Sequence, residues 1–434
     1  MTLGEMRATV FAQKPVFKHV LRQHGTESLS AYFRDLGAYY RPKNVPRSRQ
    51  KELTDVLCDE TGKILGKRAK VAMARYFKKR YFVSTAAHHD FATHPFFANY
   101  LLAAGYANTD AGIPIVPVLS CAGISLNNSS FPRGLLFHDE KLNEQRVRLV
   151  SLKHHQHPVY DYPGYDADTL RKIKPADLVA AALSGKALEQ EKLSSQITLA
   201  VNALFKNVPG LSKTEMVYLP QEEIAVRLFL KYHLNRKTII HRIVFDKKIR
   251  ELFLERFDGI IGAQLFWGVN EHERVSLRVK NNHLVSTDGK VNVPLTPSAL
   301  KKALLAKQLM PTMSFTLALL SFYYGLACAG GFSQVNYLSE MKTAYLDVLA
   351  SIPRSEKEAA IAKAVPTDLF AGEVVLVTLG AGKTKVAATG LDVVLRQETL
   401  TESHLRNLLD KTSLRTATDR MMPELYKIIS HEKT

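Results

Sequence analysis

The chain has 434 residues, 46% of them hydrophobic and 23% charged, which is enough apolar material for a sizeable core. The 59 basic residues outnumber the 41 acidic ones, and the resulting net charge of +18 favours anionic partners. The apolar stretches are too short to span a membrane, three cysteines exclude a disulfide framework, and Met1 is not followed by a secretory signal, so we expect a cytoplasmic protein without membrane contact.

Residues 1–80 have a helical pattern rich in basic side chains, and we interpret them as an N-terminal helical cap. The densest basic run, residues 67–80, has Tyr76 and Phe77 between its lysines and arginines. At helical spacing these charges are expected to spread around a solvated helix. An anion-binding surface is the alternative.

Residues 81–121 predict the central feature of the fold. A short β-rich run at 81–85 is followed by an apolar helical segment at 96–107 and a second β-rich run at 113–119. This order predicts a parallel crossover, and therefore an α/β fold whose core is a Rossmann-like parallel sheet. The loop after the first strand would then lie at the carboxyl edge of the sheet, where open α/β sheets bind ligands.

We assign residues 81–350 to this core, with inserted helices and a hairpin, and residues 351–434 to a C-terminal α/β region that ends in helices. The pattern at 275–293 predicts the hairpin, because two alternating runs flank an Asp-Gly pair, which favours a type I′ turn.

Two capping signals predict helix starts in the last third of the chain. Thr296 before a proline predicts one start, and Thr399 with Glu402 predicts a capping box at another.

Three histidines, His88, His89 and His94, lie in the loop after the first strand. Imidazole titrates near neutrality, so we assign His88 and His94 catalytic roles as acid, base or phosphate ligand, and we assign His89 and Thr85 to substrate binding. The alternative is that these histidines pack on aromatic side chains.

The loop after the second strand offers a second polar group. Asn127, Asn128 and Arg133 are expected to bind an anionic or carboxylate substrate, although a polar turn is equally consistent with this segment. Cys121, just before it, is interpreted as a small buried hydrophobe rather than a nucleophile. Trp267 is interpreted as a core residue.

Two stretches of the chain, covering about half of it, resemble the bacillithiol-synthesis cysteine ligases (the BshC family), which join cysteine to a glucosaminyl-malate amine. Residues 85–97 lie without gaps over that family's Thr-Gly-Gln-Gln loop and the Gly-Gly-Pro that follows it. Residues 295–297, 309–312 and 330–337 are similar to its Leu-Ser-Pro, Leu-Pro-Thr and Gly-Gly-Pro-Gly-Glu-x-x-Tyr segments, with Gln334 in the place of the glutamate.

The resemblance implies a Rossmann-like core, distantly related to nucleotidyl transferases, that binds a nucleotide or a phosphorylated group and forms an amide. ATP or ADP is the implied cofactor. The second stretch adds five substrate-binding candidates, namely Gly330, Gly331, Gln334, Asn336 and Tyr337. We therefore expect an amide-forming or group-transfer enzyme, a ligase or transferase, that acts on an amino acid and an amine or a phosphorylated small molecule.

Two alternative functions remain open. A metal-dependent hydrolase would use the histidine-rich segment between His88 and His157, although its spacing matches no closed metal motif and we assign no metal ligand. The histidines concerned are His88, His89, His94, His138, His154, His155 and His157. A nucleic-acid-binding protein would use the +18 charge. The sequence favours anionic small molecules as partners and leaves a homodimer open.

Overall fold

The computed structural model describes residues 1–151, 156–171, 177–262, 264–271, 273–382 and 385–431. Its first ten helices are α1 (Leu3–Gln13), α2 (Pro15–His24), α3 (Leu29–Asp35), α4 (Arg47–Leu65), α5 (Lys67–Lys79), α6 (Pro95–Asp110), α7 (Ala167–Arg171), α8 (Asp177–Leu183), α9 (Leu193–Lys206) and α10 (Gln221–Leu228). The remaining helices are α11 (Ile239–Phe245), α12 (Lys247–Phe257), α13 (Pro297–Leu305), α14 (Met313–Leu317), α15 (Gln334–Ala350), α16 (Glu356–Ala364), α17 (Gly390–Leu395), α18 (Glu402–Lys411), α19 (Leu414–Asp419) and α20 (Met422–His431). Short π-helical segments, Phe229–His233 and Ala318–Tyr323, continue α10 and α14, and Gly185–Ala187 is a 3₁₀ turn.

The strands are short. They are β1 (Phe82–Ser84), β2 (Ile115–Ser120), β3 (Gly134–His138), β4 (Glu144–Arg148), β5 (Glu215–Pro220), β6 (Phe266–Asn270), β7 (Glu273–Val275), β8 (Leu277–Lys280), β9 (His283–Ser286), β10 (Asn292–Pro294), β11 (Leu309–Pro311), β12 (Ala327–Ala329), β13 (Thr378–Leu379) and β14 (Val386–Ala387).

Four of these strands form the central parallel sheet, in the order β12-β1-β2-β5. β2 and β5 pair over six residues, from Ile115 opposite Glu215 to Ser120 opposite Pro220. Every residue of the four strands is buried, as expected for a parallel sheet covered on both faces. The predicted parallel crossover from β1 through α6 to β2 is confirmed, and the chain is a mixed α/β protein whose other described sheets are antiparallel.

Helices from the two ends of the chain pack on each other. Arg7 in α1 forms an ion pair of 2.7 Å with Asp419, and an antiparallel bridge joins Ser28 to Ser413. One continuous cluster of buried apolar side chains extends from Val10 to Ile429 and includes residues of all three predicted segments. The predicted boundaries at residues 80 and 350 stay predictions. No described helix is long and apolar enough to cross a membrane.

The region predicted as one hairpin, 275–293, is a three-stranded antiparallel meander of β8, β9 and β10. Its two-residue turn is Asn281-Asn282, where both residues have positive φ, at 48° and 59°. Asparagine tolerates the left-handed region that a type I′ turn requires at both central positions. The predicted turn at Asp288-Gly289 is present in the β9–β10 hairpin, where the Gly289 N–H donates a hydrogen bond of 3.0 Å to the Ser286 carbonyl. The connection has five residues, so only the expected tight type I′ form was wrong.

The two predicted helix starts had different outcomes. Thr296 caps α13 by accepting a hydrogen bond of 3.4 Å from the backbone N–H of Ala299, as predicted. The capping box at Thr399 was wrong, because α18 begins two residues later with Thr401 as its cap. Thr401 accepts a hydrogen bond from the backbone N–H of His404.

The side chain of Asn99, fully buried in α6, holds an extended C-terminal segment against the central sheet layer. Its Oδ1 accepts hydrogen bonds of 3.1 and 3.0 Å from the backbone N–H groups of Leu376 and Val377. Its Nδ2 donates to the carbonyl of Ala388 at 3.0 Å. This one amide therefore satisfies three backbone groups that belong to no helix.

We predict that Asn99→Ala lowers the free energy of unfolding by about 2–4 kcal/mol, because it leaves buried backbone groups without partners. Chemical denaturation measures this loss. The control Asn207→Ala removes one half-buried bond to the Ala203 carbonyl and should cost about 1 kcal/mol or less. Equal losses in the two variants would contradict the assignment.

Candidate active site

A cavity of about 620 Å³ lies at the carboxyl edge of the parallel sheet. The segment after each of the four strands contributes to its wall: residues 85–94 follow β1, Cys121 and Gly123 follow β2, Glu222 follows β5, and residues 331–337 follow β12. The volume is within the range of pockets that hold small molecules.

The cavity also lies where the strand order reverses. The chain goes from β1 to β2 to β5 in one direction and then places β12 on the other side of β1, so the reversal falls between β1 and β12. Gln334 Nε2 donates a hydrogen bond of 2.5 Å to Thr85 Oγ1 across this point. Gly330 makes room for the Gln334 side chain, since a Cβ at residue 330 would lie 2.5 Å from it. Open α/β sheets bind ligands at such reversals.

Three buried or half-buried carboxyl groups line the cavity. Glu222, 2% exposed, accepts hydrogen bonds of 3.0 and 2.9 Å from the backbone N–H groups of Ala122 and Gly123, while burial raises its pKa. Burial raises the pKa of Glu373 to about 7, and its Oε2 accepts a bond of 2.9 Å from the Phe332 N–H.

The third carboxyl group belongs to Asp90, which is 5% exposed. Its Oδ1 accepts a hydrogen bond of 2.6 Å from the backbone N–H of Ala92, and burial raises its pKa to about 7. Two of these carboxyls also adjoin strained backbone, because Ala92 and Glu373 have φ angles of 52° and 25°. Non-glycine residues in the left-handed region concentrate at functional sites.

His88 and His94, the two predicted catalytic residues, both line the cavity. His88 is exposed to it, and the surrounding protein lowers the pKa of its ring by desolvation. Desolvation lowers the pKa of His94 to about 4. Desolvation therefore disfavours the protonated form of both rings, which makes each a weaker base than a free imidazole.

His89 lies outside the cavity. Its ring is fully buried, bonds Ser120 Oγ at 2.6 Å and the Ser194 carbonyl at 2.8 Å, and stacks on Tyr218 at 5.3 Å between ring centroids. The substrate-binding role predicted for His89 is replaced by a structural one, because both ring nitrogens already have protein partners.

The antiparallel strands β6 and β7 supply one side of the cavity. The guanidinium of Arg274 lies 4.4 Å from the ring centroid of Trp267, and its Nη1 donates a hydrogen bond of 2.8 Å to the Gly123 carbonyl. Arg274 is exposed and Trp267 is half-buried, and both line the cavity. The interpretation of Trp267 as a core residue was therefore wrong.

The cavity brings together half of the predicted site residues. Those that line it are Thr85, His88, His94, Gly331, Gln334 and Tyr337. The residues that do not line it are His89, Asn127, Asn128, Arg133, Gly330 and Asn336.

Most residues of the second group contact other parts of the protein rather than the cavity. Asn336 Oδ1 accepts a bond of 2.8 Å from the Val16 N–H, and its Nδ2 donates to the Phe332 carbonyl. Asn128 Oδ1 accepts a bond from the Ser130 N–H, Asn127 accepts one from Ser125, and the Arg133 guanidinium lies 5.1 Å from the Phe131 ring centroid. Asn127, Asn128 and Arg133 thus have the contacts of a polar turn, while the same loop reaches the cavity through Ser129 and Ser130. Substrate binding by the three residues stays a prediction.

The predicted histidine cluster does not form a metal site within the described part of the chain, where no three His, Cys, Asp or Glu side chains are placed to hold one ion. His138 bonds Asp392 at 2.7 Å, and His157 packs edge-on against Tyr162. His154 and His155 lie outside the described residues.

The sequence-based interpretation missed Glu222, Arg274 and Glu373 as cavity residues. Glu222 had a usable signal, since it follows the β-rich run 215–220 in the first turn of a helix, the same strand-end position that identified His88. Arg274 and Glu373 reach the cavity only through long-range packing. No family model matches the chain, and a search of curated proteins finds no similar sequence.

We predict that Asp90→Asn stabilises the protein at pH 8 but not at pH 4. Because the pKa of Asp90 is raised to about 7, the folded protein keeps a proton that the unfolded chain releases near pH 4. Wild-type stability then falls as pH rises from about 4 to 7, by roughly 1.4 kcal/mol per unit of pKa shift. The asparagine variant lacks the part of this decrease in stability that Asp90 causes.

Thermal denaturation at pH 4, 6 and 8 measures the difference. Asp59→Asn is the control, since Lys70 lowers the pKa of that exposed carboxyl and its small contribution to stability is lost as pH falls. A wild type that becomes more stable from pH 4 to 8 relative to Asp90→Asn would contradict the raised pKa.

Proposed function

We propose that the cavity is the active site of an amide-forming group-transfer enzyme that acts on an amino acid and a second small molecule. One observation supports this most strongly: the segments after all four parallel strands converge on a single cavity that combines neutral imidazoles with carboxyl groups titrating near pH 7. Groups whose pKa lies near the working pH are the most effective general acids and bases.

The charges of the wall favour a ligand with one ammonium and one carboxylate group. Among the described residues that line the cavity, Arg274 is the only lysine or arginine, and the carboxyl groups of Asp90, Glu222 and Glu373 line the same cavity. Arg274 is the candidate for binding the substrate carboxylate, because guanidinium binds carboxylate through paired hydrogen bonds. It takes the role that the sequence had suggested for Arg133.

Glu373 is the candidate general base. In amide formation the amine nitrogen attacks an activated acyl carbon, the new C–N bond forms, and the leaving group departs with the electron pair of the bond that breaks. The proton lost by the amine passes to the Glu373 carboxylate, which is present in about half of the molecules near its pKa of about 7. His88 and His94 also line the cavity, but their lowered pKa values make them weaker proton acceptors than the Glu373 carboxylate.

Cys121 is not proposed as a nucleophile, although it lines the same cavity. Its thiol donates a hydrogen bond of 3.3 Å to Glu222 Oε1, and burial raises its pKa well above the ordinary value. The thiolate is the reactive form of cysteine, and this site suppresses it.

We also infer that the sheet is a divergent Rossmann-like core, an inference supported by the reversal of strand order between β1 and β12. ATP or ADP, the cofactor implied by the family resemblance, fits this cavity poorly, because its described lining has three carboxyl groups and one guanidinium. Polyphosphate is instead bound where positive charge and backbone N–H groups dominate. No step of the proposed reaction is assigned to a nucleotide.

We predict that free amino acids raise the melting temperature of the wild type and that Arg274→Gln weakens their binding by about 10- to 100-fold, the effect of losing a charged hydrogen bond. The screen contains the twenty amino acids, amino sugars, ATP, ADP, Zn²⁺ and Mn²⁺, with cysteine expected among the ligands from the family resemblance. Arg133→Gln is the matched control and should bind as the wild type does. Stabilisation by metal ions alone, or a loss confined to Arg133→Gln, would contradict the proposal.

We predict that Glu373→Gln lowers kcat by about 10²- to 10⁴-fold, whereas Cys121→Ala retains activity. Mass spectrometry would detect new amides in mixtures of amino acids and amino sugars, supplied with ATP or with acetyl phosphate as a ready acyl donor. Loss of activity in Cys121→Ala together with full activity in Glu373→Gln would indicate thiol chemistry and reject the assignment of Glu373.

A further inference from the structure

The outward face of α5 carries a continuous row of cations. Lys67, Arg68, Arg75, Lys78 and Lys79 are all exposed, and their spacing of three, four, seven or eight residues places them on one side of the helix. The opposite side buries Ala69, Met73 and Tyr76 against the protein. Five of the six exposed basic side chains of α5 therefore lie on one side of the helix, and the sixth, Lys70, is paired with Asp59. The expected spread around the helix is limited to Lys70.

Lys213, from the turn before β5, adjoins the amino-terminal end of this stripe. Together with Lys67, Arg68 and Arg75 it lines a shallow groove of about 510 Å³. We call this group of residues, Lys67, Arg68, Arg75, Lys78, Lys79 and Lys213, the α5 stripe. The groove also contains Pro114 and Glu215, which lie at the amino edge of the sheet, so the stripe is at the opposite edge from the cavity.

The acidic residues next to the stripe are already neutralised. Glu215 is paired with Arg68 at 3.0 Å and with Lys206 at 2.9 Å, and Asp59 is paired with Lys70 at 2.7 Å. Within the described parts of the chain, the side chains of the other five stripe residues have no hydrogen-bond or ion-pair partner. The stripe thus presents four uncompensated positive charges on a helix about 18 Å long and a fifth, that of Lys213, beside it.

We propose that the α5 stripe binds the phosphodiester backbone of duplex nucleic acid, independently of base sequence. A duplex carries one negative charge per roughly 1.7 Å of axis, so a helix of this length faces several phosphates at once. The stripe has no exposed aromatic side chain, since Tyr76 is buried and Phe77 is half-buried against Tyr76 and Tyr81. Single strands are usually held by stacking their bases on exposed aromatic rings, so their absence favours a duplex.

An anionic membrane is a poorer partner for the same face. Helices that lie in a membrane interface insert an apolar face rich in Trp, Phe or Leu. The apolar face of α5 is occupied by the protein core, and Val71, 41% exposed, is the one large hydrophobic residue of α5 that is exposed. Electrostatic attraction between the α5 stripe and phosphate groups is therefore the main interaction available to this face.

The experiment measures binding of a fluorescein-labelled 20-base-pair duplex of arbitrary sequence by the full chain between about 50 and 200 mM salt. The slope of log affinity against log salt should be about −4, given roughly 0.9 per phosphate contact. The variant Arg75→Gln/Lys78→Gln/Lys79→Gln should bind at least about tenfold more weakly and reduce the slope by about 3.

A matched variant, Lys248→Gln/Lys301→Gln/Lys302→Gln, removes the same charge from exposed positions on α12 and α13 and should bind as the wild type does. Equal weakening in both triple variants would show a net-charge effect and overturn the proposal. An unchanged salt slope in the stripe variant would also overturn the proposal. The same holds if the protein binds a labelled single strand, polyglutamate or phosphatidylserine vesicles more tightly than it binds the duplex. Unchanged melting temperatures in both variants verify that each remains folded.

Discussion

The parallel alignment of β12, β1, β2 and β5 is the constraint on which the rest of the structure depends. Parallel strands all end at the same edge of a sheet, so four segments far apart in the chain leave it side by side. The cavity exists because these segments diverge where the strand order reverses, with Gln334 bonded across the gap to Thr85. The amino ends of the four strands lie at the opposite edge, and the basic groove next to α5 is at that edge. The two edges therefore offer opposite chemistry, protonatable carboxyls at one and uncompensated cations at the other.

Maintaining the carboxyl groups in the cavity has a thermodynamic cost. Asp90, Glu222 and Glu373 accept backbone hydrogen bonds that favour their charged forms, yet burial dominates and raises the pKa of all three. Left-handed backbone at Ala92 and Glu373 adds strain beside two of them. An apolar lining would be more stable at neutral pH. The retention of these groups is what a site for proton transfer requires, and it connects the stability of the fold to the chemistry that we propose.

The parts of the fold and site that follow local patterns could be predicted from sequence. The β1–α6–β2 crossover could be predicted because the pattern of apolar residues changes from strand-like to helix-like and back. His88 and His94 could be identified as cavity residues because they follow a predicted strand. His88 and His89 follow the same strand and could not be distinguished from sequence, yet the fold exposes the first and buries the second. The place of Arg274 in the cavity could not be predicted from local sequence patterns, because its hydrogen bond to Gly123 joins residues 151 positions apart in the chain.

A crystallographic fragment screen would show where the protein binds small molecules without assuming a substrate. Crystals would be soaked with fragments that contain a primary amine, a carboxylate or both. We expect such fragments to bind in the cavity at the carboxyl edge of the sheet, with amines at Glu373 or Asp90 and carboxylates at Arg274. Fragments that bind only elsewhere on the protein, with this cavity empty at concentrations that saturate the other sites, would contradict it.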